Sequence, residues 1–230
     1  MATKGGPNIV TDGLVLYLDA TNPKSYPGSG TPWSDLSGNG NDGILINGPT
    51  FDSGDINSIA FDGSNDLVQT DNNIANELTS DFTFNIWAIR DGNSSSSING
   101  LIGNLWHTEF TGANIYLRNS DYRIDVQTAD GSTRNSYVLT SPVSNRNWTN
   151  YTLSNIGGVV STYVNGELLD SRSRNIQPSI SKPVTIGRWA GSFSSYILNG
   201  RISNCTTHNK GLTAEEVLQN YNATKSRFNL

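Results

Sequence analysis

The stretch PVTIGRWAGSFSSYILNGRISNCTTHNKGLTAEEVLQNYNATKSRF, from Pro183 to Phe228, decides the fold. It holds a short apolar run ending in Ile-Gly, a polar loop, and a second apolar run that starts with Gly-Arg-Ile. A helix signal follows, because Thr213 can cap a helix and Glu216, three residues on, can bond back to the cap. The remainder of the chain has strand patterns, so we predict one helix, over residues 213–226, at the end of a β protein.

Apolar residues of this predicted helix should pack on the sheets. Leu212 before the cap and Val217 in the first turn can form a hydrophobic staple. One face of the helix is predicted to carry the apolar stripe Ala214, Val217, Leu218 and Tyr221. The role that this pattern indicates is structural.

Alternation of apolar and polar residues predicts the strands. In DFTFNIWAIR, which begins at Asp81, every second residue from Phe82 to Ala88 is apolar, as in a central core strand. Five Asn-Gly and five Asp-Gly dipeptides supply turns between such runs. Asn165-Gly166 predicts a type I′ hairpin, and residues 128–132 predict a second, looser one. The fold class is therefore all-β, with two packed antiparallel sheets.

Composition limits the function classes. A chain of 230 residues fits a single domain, residues 1–230, and its lone cysteine, Cys205, is expected to be buried in a strand. The net charge of −5 argues against a nucleic-acid partner. No apolar run is long enough to span a membrane, and the N-terminus has no apolar signal core, so we expect a soluble protein without an ordinary signal peptide.

Two segments are expected to lie outside the regular strands. Residues 1–12 read as an N-terminal extension. Residues 22–48 are rich in Gly, Pro, Ser and Asn and predict a long ordered loop. Of the tryptophans, Trp87 and Trp148 are assigned to the core, and Trp33 to packing of the early loop.

Several motifs resemble the concanavalin A-like, laminin G-like jelly rolls. They are FDGSNDLVQT from Phe61, DFTFNIWAIR from Asp81, NWTNYTLSNIGGVVSTYVNGELL from Asn147, and the closing segment quoted above. The resemblance covers most of the chain and implies a two-sheet jelly-roll sandwich. Members of this family bind glycans and proteins more often than they catalyse reactions, so the resemblance implies a binding module.

Aromatic residues beside loops are the candidate ligand contacts, because sugar rings stack on indole and phenol while their hydroxyls bond to polar groups. In the topology that the resemblance implies, several such segments meet on the concave sheet or at its rim. Trp106 and Trp189 would stack on the sugar, and Arg188, His107 and Asn114 would exchange hydrogen bonds with it. The remaining predicted contacts are Tyr116 and Tyr196. Core packing is the open alternative for each tryptophan.

A structural calcium ion is a second candidate feature. Asp62, Asn65 and Asp66 in FDGSND could hold it, although a turn whose Asp side chains bond their own backbone explains these residues equally well. Related pentraxins place acidic calcium ligands just after the Ile-Gly strand. This chain has Arg188, Trp189 and Ala190 there, which argues against that type of site. Apart from this calcium ion, we predict that the protein requires no cofactor.

The catalytic patterns are weak. Concanavalin-like glucanases use a Glu-x-Asp-x-x-Glu run, and the sequence has none. Glu109, next to Trp106 and His107, is one isolated acid. His107 and His208 are far apart and indicate neither a triad nor a zinc site; His208 reads as a strand-end surface residue. We therefore predict that the protein is not an enzyme, with a glycoside hydrolase as an unfavoured alternative.

The two ends of the chain resemble laminin G-like proteins of tailed-phage particles, including those of cyanophages. The segments are GLVLYLDATNPKSYPGSG from Gly13, WSDLSGNGNDG from Trp33, and LQNYNATKSRF from Leu218. This resemblance implies a virion-associated head or tail accessory protein. The expected partners are a glycan or host-surface polysaccharide, a capsid or tail protein, and further copies of the chain. A capsid decoration protein that binds no glycan is the alternative.

Overall fold

A computed structural model describes residues 8–71, 74–93, 98–106, 110–119, 123–139, 146–177, 182–189 and 196–230. The strands, numbered in chain order, are β1 (Leu14–Asp19), β2 (Pro32–Trp33), β3 (Gly43–Ile46), β4 (Thr50–Asp52), β5 (Ser58–Asp62), β6 (Leu67–Thr70), β7 (Phe82–Arg90), β8 (Ile98–Gly103), β9 (Thr111–Arg118), β10 (Ile124–Asp130), β11 (Arg134–Leu139), β12 (Thr149–Ile156), β13 (Val159–Val164), β14 (Glu167–Ser173), β15 (Thr185–Ile186) and β16 (Asn199–His208). The helices are α1 (Ile74–Glu77) and α2 (Ala214–Thr224), and a 3-10 helix over Lys225–Phe228 continues α2.

The strands form two antiparallel sheets. The first sheet has the order β14-β13-β12-β7-β16-β5-β4, and β1 also pairs with the long strand β16. The second sheet has the order β11-β10-β9-β8-β15-β6-β3-β2. Their inner faces share one large apolar cluster, which includes residues from both sheets. The predicted two-sheet antiparallel sandwich is confirmed.

Strand β7 lies at the centre of the first sheet, between β12 and β16. Phe84 and Ile86 are fully buried and belong to the cluster between the sheets. Trp87 is fully buried as well, but it belongs to a separate cluster with Ile56 and Phe228. Both faces of this strand are therefore covered, one by the second sheet and the other by the C-terminal segment.

The predicted turns are present. Between β13 and β14, Asn165 and Gly166 have φ angles of 51° and 79°, and this pair of positive angles is the mark of a type I′ turn. Between β10 and β11, the side chain of Asp130 accepts hydrogen bonds from the backbone N–H of Ser132 and Thr133, at 3.0 and 2.8 Å. Both turns fix the register of the strands that they join.

The C-terminal helix begins as predicted. Thr213 accepts a hydrogen bond from the backbone N–H of Glu216, whose carboxylate accepts one from the N–H of Thr213. Leu212 and Val217 are buried in one cluster, as a staple requires. The predicted apolar stripe is partly wrong, because Ala214 and Leu218 are exposed. Val217 is buried as predicted, and the helix also buries the polar residues Asn220 and Thr224.

Three further predictions need correction. Within residues 22–48, predicted as a long ordered loop, strands β2 and β3 extend the second sheet, and Trp33 in β2 is fully buried in the main core. Trp148 is only partly buried and packs beside Phe228, outside the core. His208 is fully buried, because the N-terminal segment covers the end of β16, and its Nε2 lies 3.0 Å from the carbonyl of Val10. Cys205 is buried, as predicted.

Candidate functional site

Strands β9 and β10 of the second sheet direct polar and aromatic side chains away from the core. Ile115 and Val126 pair across these strands and belong to the core cluster. The neighbouring pair, Tyr116 and Asp125, therefore lies on the outer face, because side chains alternate along a strand. Gln127 lies two residues beyond Asp125 and shares that face. The outer face thus combines a phenol ring with a carboxylate and an amide.

Two segments that follow β15 come close to this outer face. The carbonyl of Tyr196 accepts hydrogen bonds from the backbone N–H of Trp189, at 3.2 Å, and of Gly100 in β8, at 2.9 Å. Gly100 lies opposite Tyr116 in the β8–β9 pair. A side chain at position 100 would overlap the backbone of Trp189 and Tyr196. The missing side chain therefore allows both residues to approach the sheet.

A cavity of about 190 Å³, here called the aromatic pocket, lies where these elements meet. Tyr116, Trp189 and Tyr196 supply its aromatic walls. The rings of Trp189 and Tyr196 meet edge to face, with centroids 5.0 Å apart and planes at 65°. The polar lining comes from Arg118, Asp125, Gln127 and Ser136.

Asp125 is the buried carboxylate in the lining of the aromatic pocket. It is only 3% exposed, and its Oδ2 accepts hydrogen bonds from Nε and Nη2 of Arg118, at 3.1 and 2.9 Å. Burial raises the pKa of Asp125 above its ordinary value, although the hydrogen bond and charge of Arg118 act in the opposite direction. Burial also raises the pKa of Tyr116, and the nearby charge of Asp125 adds to this effect. Tyr116 therefore stays a neutral phenol at physiological pH.

Two acceptors of the pocket lack a hydrogen bond. Oδ1 of Asp125 and Oε1 of Gln127 are buried and have no partner within the described part of the chain. The amide nitrogen of Gln127 donates to Oγ of Ser136 at 3.2 Å, which directs Oε1 elsewhere. A buried polar group without a partner costs about 1–3 kcal/mol. A ligand that brings hydroxyl or amide donors can recover that free energy.

Tyr196 holds a conformation that aromatic residues rarely adopt. Its φ angle of 66° lies in the left-handed region, where a residue with a side chain is strained by about 1–3 kcal/mol. The two hydrogen bonds to its carbonyl and the bridge between Arg188 and Ile197 maintain this conformation. Strain of this kind is concentrated at sites where a side chain must point in a particular direction.

The structure brings together three of the seven residues predicted from the sequence to contact a ligand, namely Tyr116, Trp189 and Tyr196. Arg188 lies next to Trp189 but is not among the residues that line the aromatic pocket, and burial lowers its pKa. Ligand contact by the three aromatic residues stays a prediction.

Asn114 and Trp106 occupy other places. The side chain of Asn114 is buried and bonds to the backbone of Leu105, donating to the carbonyl at 2.8 Å and accepting from the N–H at 3.3 Å. It therefore shapes the end of β8 instead of facing the pocket. Trp106 is partly buried, and Nζ of Lys182 lies over its ring, 5.1 Å from the centroid. Trp106 does not line the aromatic pocket. His107 lies outside the described residues.

Sequence reasoning missed the polar half of the pocket: Arg118, Asp125, Gln127 and Ser136. A signal for it was present, because Asp125 and Gln127 alternate with Ile124 and Val126 in one strand. By themselves, polar residues at alternate positions indicate only the solvent-facing side of a strand. Only the register of β9 with β10 places Asp125 opposite Tyr116.

The predicted calcium residues form a hydrogen-bonded turn. Oδ1 of Asp62 accepts from the N–H of Ser64 at 2.8 Å, and Oδ2 of Asp66 accepts from the N–H of Asp62 at 3.0 Å. Burial raises the pKa of Asp66. No cluster of three or more His, Cys, Asp or Glu side chains suited to a metal ion occurs among the described residues. These contacts fit the alternative reading of a turn, and the calcium ion, with Asn65 as a ligand, stays a prediction.

The two-sheet sandwich places the chain in the class of antiparallel β-sandwich domains. More narrowly, the chain belongs to the concanavalin A-like lectin/glucanases superfamily, because a laminin G-type family model of that description matches residues 62–218, well over half of the chain. No curated protein matches the sequence significantly. No described helix has the length and hydropathy that a membrane-spanning helix needs.

Solved structures share the fold at low sequence identity. The binding domain of botulinum neurotoxin DC in complex with SialylT superposes with a TM-score of 0.71 and 14% identity, over 93% of this chain and 52% of that one. Domain 4 of AbnA, a GH43 extracellular arabinanase from Geobacillus stearothermophilus, in complex with arabinotriose, gives 0.68 and 13%, over 90% and 98%. This chain thus spans about half the length of the neurotoxin binding domain and nearly all of the arabinanase domain. At these identities the likeness shows the fold alone.

Proposed function

We propose that this protein is a non-catalytic carbohydrate-binding module whose ligand occupies the aromatic pocket. The observation that carries the proposal is that aromatic side chains and buried acceptors without hydrogen-bond partners line the same pocket. Sugar rings present C–H groups that pack on Trp189 and Tyr196, and hydroxyls that donate to Asp125 and Gln127. Core side chains position the strands, so the pocket exists before the ligand arrives.

The glycan complexes of the structural relatives support this proposal. The names of those structures record SialylT with one neurotoxin binding domain, arabinotriose with the arabinanase domain, and dependence of botulinum neurotoxin type C on two ganglioside molecules. Each statement concerns that protein. Domain 4 of the arabinanase, nearly all of which is matched by this chain, is thus a domain of similar fold that is described in complex with a glycan. This chain offers a pocket with suitable chemistry.

Glycoside hydrolysis is the less favoured alternative. A retaining or inverting glycosidase needs two carboxyl groups, about 5–5.5 or 6.5–9.5 Å apart. Among the described residues that line the aromatic pocket, Asp125 is the one carboxylate, and Arg118 holds one of its oxygens. Glu109 lies outside the described residues. The chemistry of the described lining suits binding.

A location on a phage particle is a further part of the proposal, and the sequence resemblance at the two ends of the chain supports it. Many copies on one particle would compensate for a shallow site, because avidity multiplies weak affinities. The alternative is a capsid decoration protein that binds no glycan. Mass spectrometry of purified phage particles whose genome encodes this chain tests the location, since the protein should be enriched together with the capsid protein.

A glycan array tests the binding proposal, with calcium and with a chelator. We expect binding to a defined group of glycans, which is lost in Trp189→Ala. Phe110→Ala is the matched control, because Phe110 is an aromatic residue that is 45% exposed and does not line the aromatic pocket. Equal loss in both variants would reject the aromatic pocket as the binding site. No binding to any glycan by folded wild-type protein would reject carbohydrate binding. Loss with the chelator would support the calcium ion.

A further inference from the structure

We infer that the aromatic pocket selects an uncharged sugar ring that carries neighbouring hydroxyl donors, and that it rejects sugars bearing a carboxylate. This inference rests on the proposed function and specifies its ligand. It concerns the polar side of the pocket, which the sequence did not reveal. Three properties of the described residues support it: the size of the cavity, the type of hydrogen-bonding group that its lining leaves unpaired, and the distribution of charge.

The size of the cavity limits how much ligand it encloses. A volume of about 190 Å³ equals roughly six water molecules at about 30 Å³ each. Pockets that enclose drug-sized ligands measure roughly 300–1,000 Å³. The aromatic pocket is therefore suited to one ring, such as the terminal residue of a polysaccharide, with the remainder of the chain outside.

The open hydrogen-bonding groups are acceptors. Oδ1 of Asp125 and Oε1 of Gln127 lie on one face of β10, two residues apart, and both lack a partner among the described residues. Alternate residues of a strand are about 6.6–6.8 Å apart, a span that two hydroxyls on one ring can bridge. The ligand must therefore supply donors at two neighbouring positions. A hydroxyl does so, whereas a carboxylate supplies none at neutral pH.

The charge distribution disfavours anions. Arg118 donates from Nε and Nη2 to Oδ2 of Asp125, so these donors are already engaged. The other carboxylate oxygen, Oδ1, has no hydrogen-bond donor among the described residues. A sugar carboxylate placed there would bring lone pairs and no donor to an acceptor that already lacks a donor, which weakens binding.

The same distribution disfavours a cation. Three aromatic rings beside a carboxylate also resemble a cage for quaternary ammonium groups. Arg118 opposes that use, because its guanidinium forms an ion pair with Asp125 at 2.9 Å and neutralises the charge that such a cage needs. The pocket as a whole is therefore neutral and rich in acceptors.

Titration with single sugars tests the inference. The probes are the methyl glycosides of glucose, galactose and mannose, N-acetylneuraminic acid, and choline, each followed by NMR on the complete chain. We expect at least one neutral glycoside to bind at least tenfold more tightly than N-acetylneuraminic acid. Tighter binding of the anionic sugar would overturn the inference and leave the proposed function intact. Binding of choline alone, or of no probe together with a blank glycan array, would overturn both.

Two variants examine the acceptors. Gln127→Ala should weaken the neutral glycoside about threefold to tenfold, since one neutral hydrogen bond is lost. Gln69→Ala is its matched control, because Gln69 lies in β6 of the same sheet and does not line the aromatic pocket. Equal weakening in both variants would count against the assigned acceptor. Circular dichroism and thermal melting confirm that each variant is folded.

Asp125→Asn provides the sharper test, because a purely structural role would not change selectivity. This variant removes the negative charge and leaves the guanidinium of Arg118 without an ionic partner at this position. We expect the neutral glycoside to bind about tenfold more weakly or worse, while N-acetylneuraminic acid gains affinity. A folded variant with unchanged selectivity between the two sugars would contradict the assigned role of Asp125.

Discussion

The outer faces of the two sheets make opposite use of tryptophan. On the first sheet, Trp87 is fully buried, stacks on Phe228 with ring centroids 3.9 Å apart, and donates from Nε1 to Thr224 at 2.9 Å. On the second sheet, Trp189 is only partly buried and lines a cavity that contains unpaired acceptors. The first face is completed by the chain itself, whereas the second leaves room for a ligand. A structural tryptophan therefore differs from a candidate binding tryptophan in whether other parts of the chain cover its ring, and not in residue type.

Replacing the two tryptophans should separate stability from binding, with the largest effect on the first sheet. Trp87→Ala should lower the free energy of unfolding by about 3–5 kcal/mol, because it removes a large buried ring and leaves a cavity. Trp189→Ala should lower it far less, because its ring is only partly buried. Urea denaturation of both variants measures this difference. Equal losses would mean that Trp189 belongs to the core.

Gly100→Ala should damage the second face without destroying the sandwich. The new methyl group would overlap the backbone of Trp189 and Tyr196, so the walls of the pocket must shift. We expect at least a tenfold loss of glycan affinity and a loss of about 1–3 kcal/mol in unfolding free energy. Gly40→Ala is a control with the same chemical change at a site where no atom lies within 4 Å. It does strain a positive φ angle, so it should cost some stability and leave binding unchanged.

The free energy of unfolding should depend on pH because His208 is buried at the end of a strand in the first sheet. Burial lowers the pKa of this imidazole below its ordinary value of about 6.5. Below that pH the unfolded chain binds a proton that the folded chain resists, so stability falls as the pH decreases from about 6.5 towards the lowered pKa. Denaturation at pH 7.5, 6.5 and 5.5 measures this trend. His208→Gln should flatten it, and an equally steep trend in that variant would assign it to other groups.

Thr213→Ala should have the smallest effect, because it removes one half of the capping box that starts α2. We expect a loss of about 1 kcal/mol in unfolding free energy and no change in glycan binding. Thermal melting and the glycan titration measure the two quantities together. A loss of binding in this variant would mean that the helix affects the second face, contrary to the separation of the two faces.

Local signals in the sequence were sufficient to predict much of the fold. The capping box at Thr213 and the turn at Asn165-Gly166 depend on neighbouring residues, and both are present as predicted. Alternation predicted β7, but it did not show that Trp87 would be covered by Phe228. Strand β2 contains two residues, too few for any periodic pattern. Such short strands form because the sheet already offers a partner.

The candidate site was harder to predict because it depends on contacts between distant residues. Tyr116, Trp189 and Tyr196 were predicted from aromatic residues near loops. The same reasoning selected Asn114, which proved to be bonded to the backbone of Leu105. Asp125 was missed, because its position opposite Tyr116 follows from strand register and not from the residues around it.

An NMR titration of the tryptophan indole N–H signals tests the contrast between the two faces most directly. The chain has five tryptophans, so five signals can be assigned by single substitutions. Addition of a glycan identified on the array should shift the signal of Trp189 in a saturable manner and leave that of Trp87 in place. A shift of Trp87, Trp106 or Trp148 with Trp189 unchanged would contradict the account and place the ligand elsewhere.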